Sequence, residues 1–290
     1  MGKHLNRAKT HFGTDTRGLL EGGRYALLHT RTLEFDELRP YVPGDEVRDI
    51  DWKASARSGT VLVKRFVTEK HHKVLLVADA GRNMSALAPS GEVKRDVAVA
   101  VMGAVGLITL GRSDEIGMVY GDSRGSANIR NRRGENHIEG LLDRFYRHTL
   151  THPGASDIVA QLAYAATAHR RRMLIVVVSD EPDVNRRLDA VLKQLSGRHD
   201  VMWAMMSDMP AVASADGALD GYDVTTGEFV LGDAAVDRRV VAAYRRAEQA
   251  RVKQLDAVLT ARAIPYTRIA GSSEIRARLV DMTEMFSRAG

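Results

Sequence analysis

Asp79 and Asp180 each close a run of apolar residues: Val74-Leu75-Leu76-Val77-Ala78 precedes the first, and Met173 to Val178 followed by Ser179 precedes the second. Such a run suits a strand buried on both faces, with the carboxylate at its exposed end. In an open parallel sheet, ligands bind outside the carboxyl ends of the strands, so two acids far apart in sequence can converge there. Between them, Gly154-Ala155-Ser156-Asp157-Ile158 stands at a helix start and offers the Ser156 hydroxyl. Two carboxylates with hydroxyl or amide oxygens are hard ligands, and the metal they suit is Mg²⁺ or Mn²⁺. The same acids are equally able to cap helices or accept strand-end amides.

The elements that must position these residues follow from periodicity. From Val74 onward, strands alternate with helices. Strands are predicted at 74–78, 116–120, 173–178, 201–206 and 264–269, with a short edge strand at 126–130. Helices are predicted at 92–110 (Gly111 as C-cap), 134–148, 156–168 (Ser156 or Asp157 as N-cap), 188–195, 235–262 and 274–286. A hairpin is placed around Thr225-Thr226-Gly227. This order implies an α/β fold with a mostly parallel sheet, helices on both faces and right-handed crossovers. Residues 1–73 read differently, as a β-rich segment with strands at 25–28, 35–38 and 60–66; residues 74–290 form the main domain.

Composition narrows the function. The 290 residues are 44% hydrophobic and 27% charged, enough for a core. The absence of cysteine excludes a disulfide framework, a thiolate metal site and a cysteine nucleophile. Residues 1–9 are basic with no apolar run behind them, so no signal peptide is expected. The apolar run from Val97 to Leu110 is too short to span a bilayer, and a cytoplasmic location is expected. The net charge of +5 is mild. Arg124, Arg130, Arg132 and Arg133 form one local cluster; it reads as a solvated loop or, alternatively, as a phosphate or nucleic-acid contact. No Gly-x-Ser-x-Gly elbow and no phosphate-cradling Gly-x-x-x-x-Gly-Lys loop is present. Gly81 stands where an Asp-x-Asp phosphatase needs its second acid, which disfavours a metal-dependent hydrolase. His71 and His72, adjacent on a strand, would face opposite ways.

The most specific stretch is Glu34 to Arg57. Pro43-Gly44-Asp45 is a turn. Charges of both signs surround Ile50 and Trp52, Asp51 and Arg57 are expected to pair, and Trp52 reads as a core anchor, favoured, or as a contact aromatic. The pattern runs Arg39, Tyr41, Pro43, Gly44, Asp45, Arg48, Ile50, Asp51, Trp52, Ser55, Ala56, Arg57.

The element order resembles a von Willebrand factor A domain. That fold carries a metal-ion-dependent adhesion site built from Asp-x-Ser-x-Ser, a Thr in a second loop and a later Asp. Here the first motif reads Asp79-Ala80-Gly81-Arg82-Asn83, with both serines replaced and Asn83 offering an amide oxygen. Ser156 stands for the Thr, and Asp180 is intact. The resemblance therefore implies a degenerate site of Asp79, Asn83, Ser156 and Asp180, with Arg82 placed to offer a fixed positive charge in place of the ion. The signature from Arg39 to Arg57 resembles the DUF58 family, which sets it just before such a domain. That resemblance implies a non-enzymatic, chaperone-like protein-binding adaptor. Its expected partners are a MoxR-type AAA+ ATPase and a client protein; nucleic acid is not expected as a partner.

Overall fold

The computed structural model describes residues 2–13, 33–68, 72–151, 153–210, 221–224, 228–230 and 238–289. The strand expected at 25–28, His71, the turn at 225–227 and the expected helix start at 235–237 lie outside these residues.

The chain opens with α1 (Lys3–Phe12). A small unit follows: β1 (Leu33–Pro40) pairs antiparallel with β2 (Leu62–Thr68), and α2 (Trp52–Ser58) lies between them in sequence. The main body then runs β3 (Lys73–Asp79), α3 (Lys94–Arg112), β4 (Glu115–Asp122), β5 (Gly125–Arg132), α4 (Glu135–Leu150), α5 (Ile158–Ala168), β6 (Leu174–Ser179), α6 (Arg186–Ser196) and β7 (Asp200–Met206). A two-stranded pair, β8 (Gly221–Tyr222) and β9 (Phe229–Val230), precedes α7 (Arg238–Thr260), β10 (Tyr266–Ile269) and α8 (Ile275–Ala289).

The central sheet has the order β10-β7-β6-β3-β4-β5. All neighbours are parallel except β5, which returns antiparallel along β4. Side-chain alternation sorts the sheet into two cores. Val74, Leu76 and Ala78 join Leu174, Val176 and Val178 beneath α1, α3, α4 and α8. Leu75 and Val77 join Ile175, Val177 and Trp203 beneath α5, α6 and α7. Truncating one of these leucines to alanine costs about 2–5 kcal/mol, because the cavity left behind closes only in part. Both faces of β3 and β6 are thus buried, and their carboxyl ends hold the site in a fixed place.

The small β-rich segment expected before the main domain is the antiparallel pair of β1 and β2. Residues 3–12 form a helix whose Leu5, Ala8 and Phe12 enter the core of the main body. Its spacing is helical, but the polar residues between hide the face. Close approach to α3 depends on Gly103, where a Cβ would fall 2.5 Å from the Ala8 Cβ. The main body therefore includes α1, and the small unit is the stretch from β1 to β2. The helix expected to stop at Gly111 instead continues through Arg112 and ends at Ser113, in the left-handed region at φ 59°.

Candidate functional site

Asp79 ends β3 between the carboxyl ends of β4 and β6. It is fully buried. Its Oδ1 accepts the Gly81 N–H at 2.9 Å, which turns the chain off the strand, while Oδ2 has no hydrogen-bond partner among the described residues. Burial, reinforced by the charge of Asp180, pushes the Asp79 carboxyl up to about 7, against opposing pulls from the Gly81 N–H and Ser156. The loop beyond passes through a short 3₁₀ turn at Arg82–Ser85.

Ser156 reaches Asp79 from the loop before α5. The two loops are stitched together: Arg82 N–H donates to the Gly154 carbonyl at 2.9 Å, and Asn83 N–H donates to Ser156 Oγ at 3.2 Å. Arg82 itself is exposed. Its backbone serves the site. Asp157 rather than Ser156 is the N-cap of α5, accepting the Ala160 N–H at 3.0 Å.

Asp180 follows β6. Ser179 Oγ accepts the Trp203 indole N–H at 2.9 Å and donates to the Asp180 carbonyl at 2.6 Å, which locks the strand end from the opposite core. Asp180 Oδ2 accepts the Asn83 side-chain amide at 2.6 Å. The structure thus brings all four expected residues together, with Asn83 bridging Ser156 and Asp180. A fifth group was not foreseen. Lys94 is 0% exposed; its Nζ lies 3.8 Å from Asp180 Oδ2 and pairs more closely with Asp208. Burial pushes Asp180 upward, and the charge of Lys94 with the Asn83 hydrogen bond pulls it back only in part.

A second unforeseen group, an acid, is Asp122 at the end of β4. It accepts both the backbone and the guanidinium of Arg124, the Gly154 N–H at 2.8 Å and, at 3.0 Å, shares a hydrogen bond with His148 Nε2. Gln161 Nε2 donates to the Asp122 carbonyl at 3.1 Å. Asp122 therefore holds the loop that delivers Ser156. One signal in the sequence pointed to it: like Asp79, it ends an apolar strand.

These residues do not fit a divalent ion held in the adhesion-site manner. Gly81 has no donor, and the space a side chain would need is filled by the Ser156 backbone and hydroxyl. Asn83 turns its N–H end to Asp180, so its amide carries a donor where a ligand would carry a lone pair. Asp180 already shares its charge with a buried ammonium. Among the described residues, no three His, Cys, Asp or Glu side chains are grouped to hold a metal.

The signature residues lie in the small unit, apart from these acids in the chain. Arg39 grips Asp45 through both nitrogens, at 2.8 and 2.6 Å, and Asp45 also accepts the Val42 N–H at 2.9 Å. Tyr41 and Pro43 lie within the turn so clamped, and Gly44 adopts φ 110°, which a side chain would strain. Arg48 pairs with Glu46. Asp51 caps α2 through the Lys53 and Ala54 N–H groups and faces Lys64 at 3.5 Å, while Arg57 donates to the Lys53 carbonyl. The expected Asp51–Arg57 pair is therefore replaced by two local hydrogen-bonding roles. Of the two readings of Trp52, the favoured core position does not hold: it is 64% exposed, as a contact aromatic would be.

The arginine cluster divides in the same way. Arg124 is held by Asp122, and Arg133 lies 3.6 Å from Glu115. Arg130 and Arg132 instead line a cleft of about 390 Å³ with Arg144 and His137, between β5 and α4. No helix among the described residues is long and apolar enough to cross a membrane.

The sheet order, the antiparallel edge strand and the acids at the strand ends define a von Willebrand factor A-like domain preceded by a small antiparallel strand pair. The family described as "Protein of unknown function DUF58" matches residues 37–254, and the chain belongs to that family. Uncharacterized proteins of Mycobacterium bovis and Mycobacterium tuberculosis are 29% identical over 222 residues, covering 75% of this chain and 65% of theirs. The chain thus spans just under two thirds of the length of these relatives. Among solved structures, it is similar to a von Willebrand factor type A protein from Catenulispora acidiphila (TM-score 0.45, 13% identity, 79% of this chain and 44% of that one). It is also similar to the PilB minor pilin from Streptococcus sanguinis (TM-score 0.46, 10% identity, 79% and 65%).

Proposed function

We propose that this chain is a non-enzymatic protein-binding adaptor that presents a client protein to a MoxR-type AAA+ ATPase, the partner class that the family resemblance implies. The observation that carries the reading is the surface of the small unit. Trp52 is exposed, and so are Tyr41, Val42, Val47 and Val61. Backbone pairing sets several of these side by side: Tyr41 N–H donates to Val61 O, and Asp51 N–H donates to Leu62 O. An exposed tryptophan at the start of α2, beside an exposed tyrosine on a clamped turn, is the composition of a protein-contact surface. The buried polar site at the strand ends supports the same reading. Both of its carboxylates, Asp79 and Asp180, are buried and held by neighbouring loop groups, which suits a structural role at the top of the sheet.

The test is retention of a purified MoxR-type AAA+ ATPase on the immobilised full chain. Trp52→Ala should weaken retention at least roughly tenfold, the scale of a hot-spot aromatic, with the thermal melt unchanged. Retention that survives Trp52→Ala but fails in the Asp79→Ala, Asp180→Ala double variant would move the contact to the sheet's top face. A second reading rests on the Arg130, Arg132 and Arg144 cleft, which suits an anion such as phosphate. Affinity for phosphate that falls steeply with salt would favour it.

A further inference from the structure

We infer that Lys94 supplies, from within the chain, the positive charge that an adhesion-site fold takes from a divalent ion, so that this strand-end site is complete without metal. The inference concerns the site's own charge balance and is independent of which partner the protein binds.

The argument begins with cost. An ammonium taken out of water is retained only where carboxylates compensate it. Lys94 is fully enclosed, and the side chains compensating it are Asp180 and Asp208. Its position in the helix adds to the cost. Lys94 is the first residue of a 19-residue helix, at the end where the peptide dipoles disfavour a cation. A lysine kept there against both terms marks a place where the surrounding acids need a positive charge.

The surroundings are arranged around that choice. The Lys94 N–H donates to the Ala86 carbonyl at 2.9 Å, so the loop that leaves Asp79 folds back and plants the helix start above the strand ends. Asn83, from the same loop, donates its side-chain amide to Asp180. Gly81, the first position where the fold family carries a serine ligand, is closed over by Ser156. A divalent ion at Asp180 would have to share that carboxylate with an ammonium, against like-charge repulsion. The consequence is a top face whose shape does not depend on ion supply, and whose contacts with other proteins chelators leave untouched.

The experiment uses the purified full chain. Free Mn²⁺ is followed by its paramagnetic resonance during titration, and melting is followed in EDTA and in millimolar Mg²⁺. The wild type should show no saturable Mn²⁺ binding and one melting temperature in both media. Lys94→Met, which keeps the volume and removes the charge, should lower the melting temperature by roughly 10 °C. Adding Asp180→Asn should recover part of that loss, because the stranded carboxylate is gone. Saturable Mn²⁺ binding by the wild type would overturn the inference, as would a Mg²⁺-dependent rise in melting temperature that EDTA reverses. Wild-type stability in Lys94→Met would also overturn it. Should Lys94→Met fail to fold, the wild-type Mn²⁺ titration decides the matter alone.

Discussion

Asp122 accepts the Gly154 N–H at 2.8 Å, and through that bond a carboxylate at the end of β4 fixes the loop that brings Ser156 to Asp79. The other ligands of the carboxylate, Arg124 and His148, come from the β4–β5 turn and from α4, so three separate segments meet on one side chain. The strand-end site thus depends on an acid that is not itself part of it.

Removing that acid should be costly and dependent on pH. Asp122→Ala is expected to lose about 2 kcal/mol of stability, because the Gly154 N–H, Arg124 and His148 lose the buried acceptor they share. Burial pushes the Asp122 carboxyl up, but hydrogen bonds from Arg124, the Gly154 N–H and His148 outweigh it and hold the group well below the ordinary value of 3.8. A carboxyl with a depressed folded pKa binds fewer protons folded than unfolded. Its stabilisation is therefore present above the ordinary value and is lost as pH falls through the folded one. Denaturant unfolding of wild type and variant should differ by a constant amount between about pH 7 and 5, with the gap narrowing below about pH 4. A gap that widens on acidification would refute this account.

Restoring the missing serine should harm rather than help. In Gly81→Ser the new Cβ meets the Ser156 backbone, which cannot yield without moving the Asp122-held loop. A loss of about 1–3 kcal/mol is expected, the usual cost of overpacking, with no Mn²⁺ binding gained. Gly81→Ala should lose a similar amount, since volume and not chemistry is at fault. A Gly81→Ser protein as stable as wild type would show that the loop has room to spare.

The two tryptophans offer an optical test of the two surfaces. Trp203 is enclosed in the core with its indole N–H bound to Ser179, and Trp52 faces solvent. Trp203→Phe should leave red-shifted emission that acrylamide quenches readily, and should destabilise the fold by about 1–3 kcal/mol through the orphaned Ser179 contact and lost volume. Trp52→Phe should leave blue-shifted emission shielded from acrylamide and change stability by no more than roughly 0.5 kcal/mol. Equal quenching of the two variants would place Trp52 in a buried setting after all.

Much of this arrangement is legible along the chain. Residues 74–79 and 173–180 announce themselves as buried strands ending in acids, because burial on both faces of a sheet leaves an unbroken apolar run. The helix at residues 3–12 is harder to see, since only Leu5, Ala8 and Phe12 face inward and basic or polar residues fill the gaps. Trp52 misleads for a different reason: its type favours a core, and only its place beside a clamped surface turn puts it in water. Arg39 and Asp45 pair instead of Asp51 and Arg57 because Pro43-Gly44 folds the first two together, while the Asp51 carboxylate is taken by amides of the helix it caps.

The sequence by itself determined the alternation of strands and helices, the strand-end positions of Asp79 and Asp180, and the signature from Arg39 to Arg57. Each of these follows from local periodicity or from a contiguous motif. The tertiary structure alone decided what neutralises those acids. Lys94 and Asp180 lie on different elements, as do Asp122 and Gly154, and no pattern within either segment announces the other. Whether a charge is buried, and which opposite charge meets it, depends on how the loops close over the sheet.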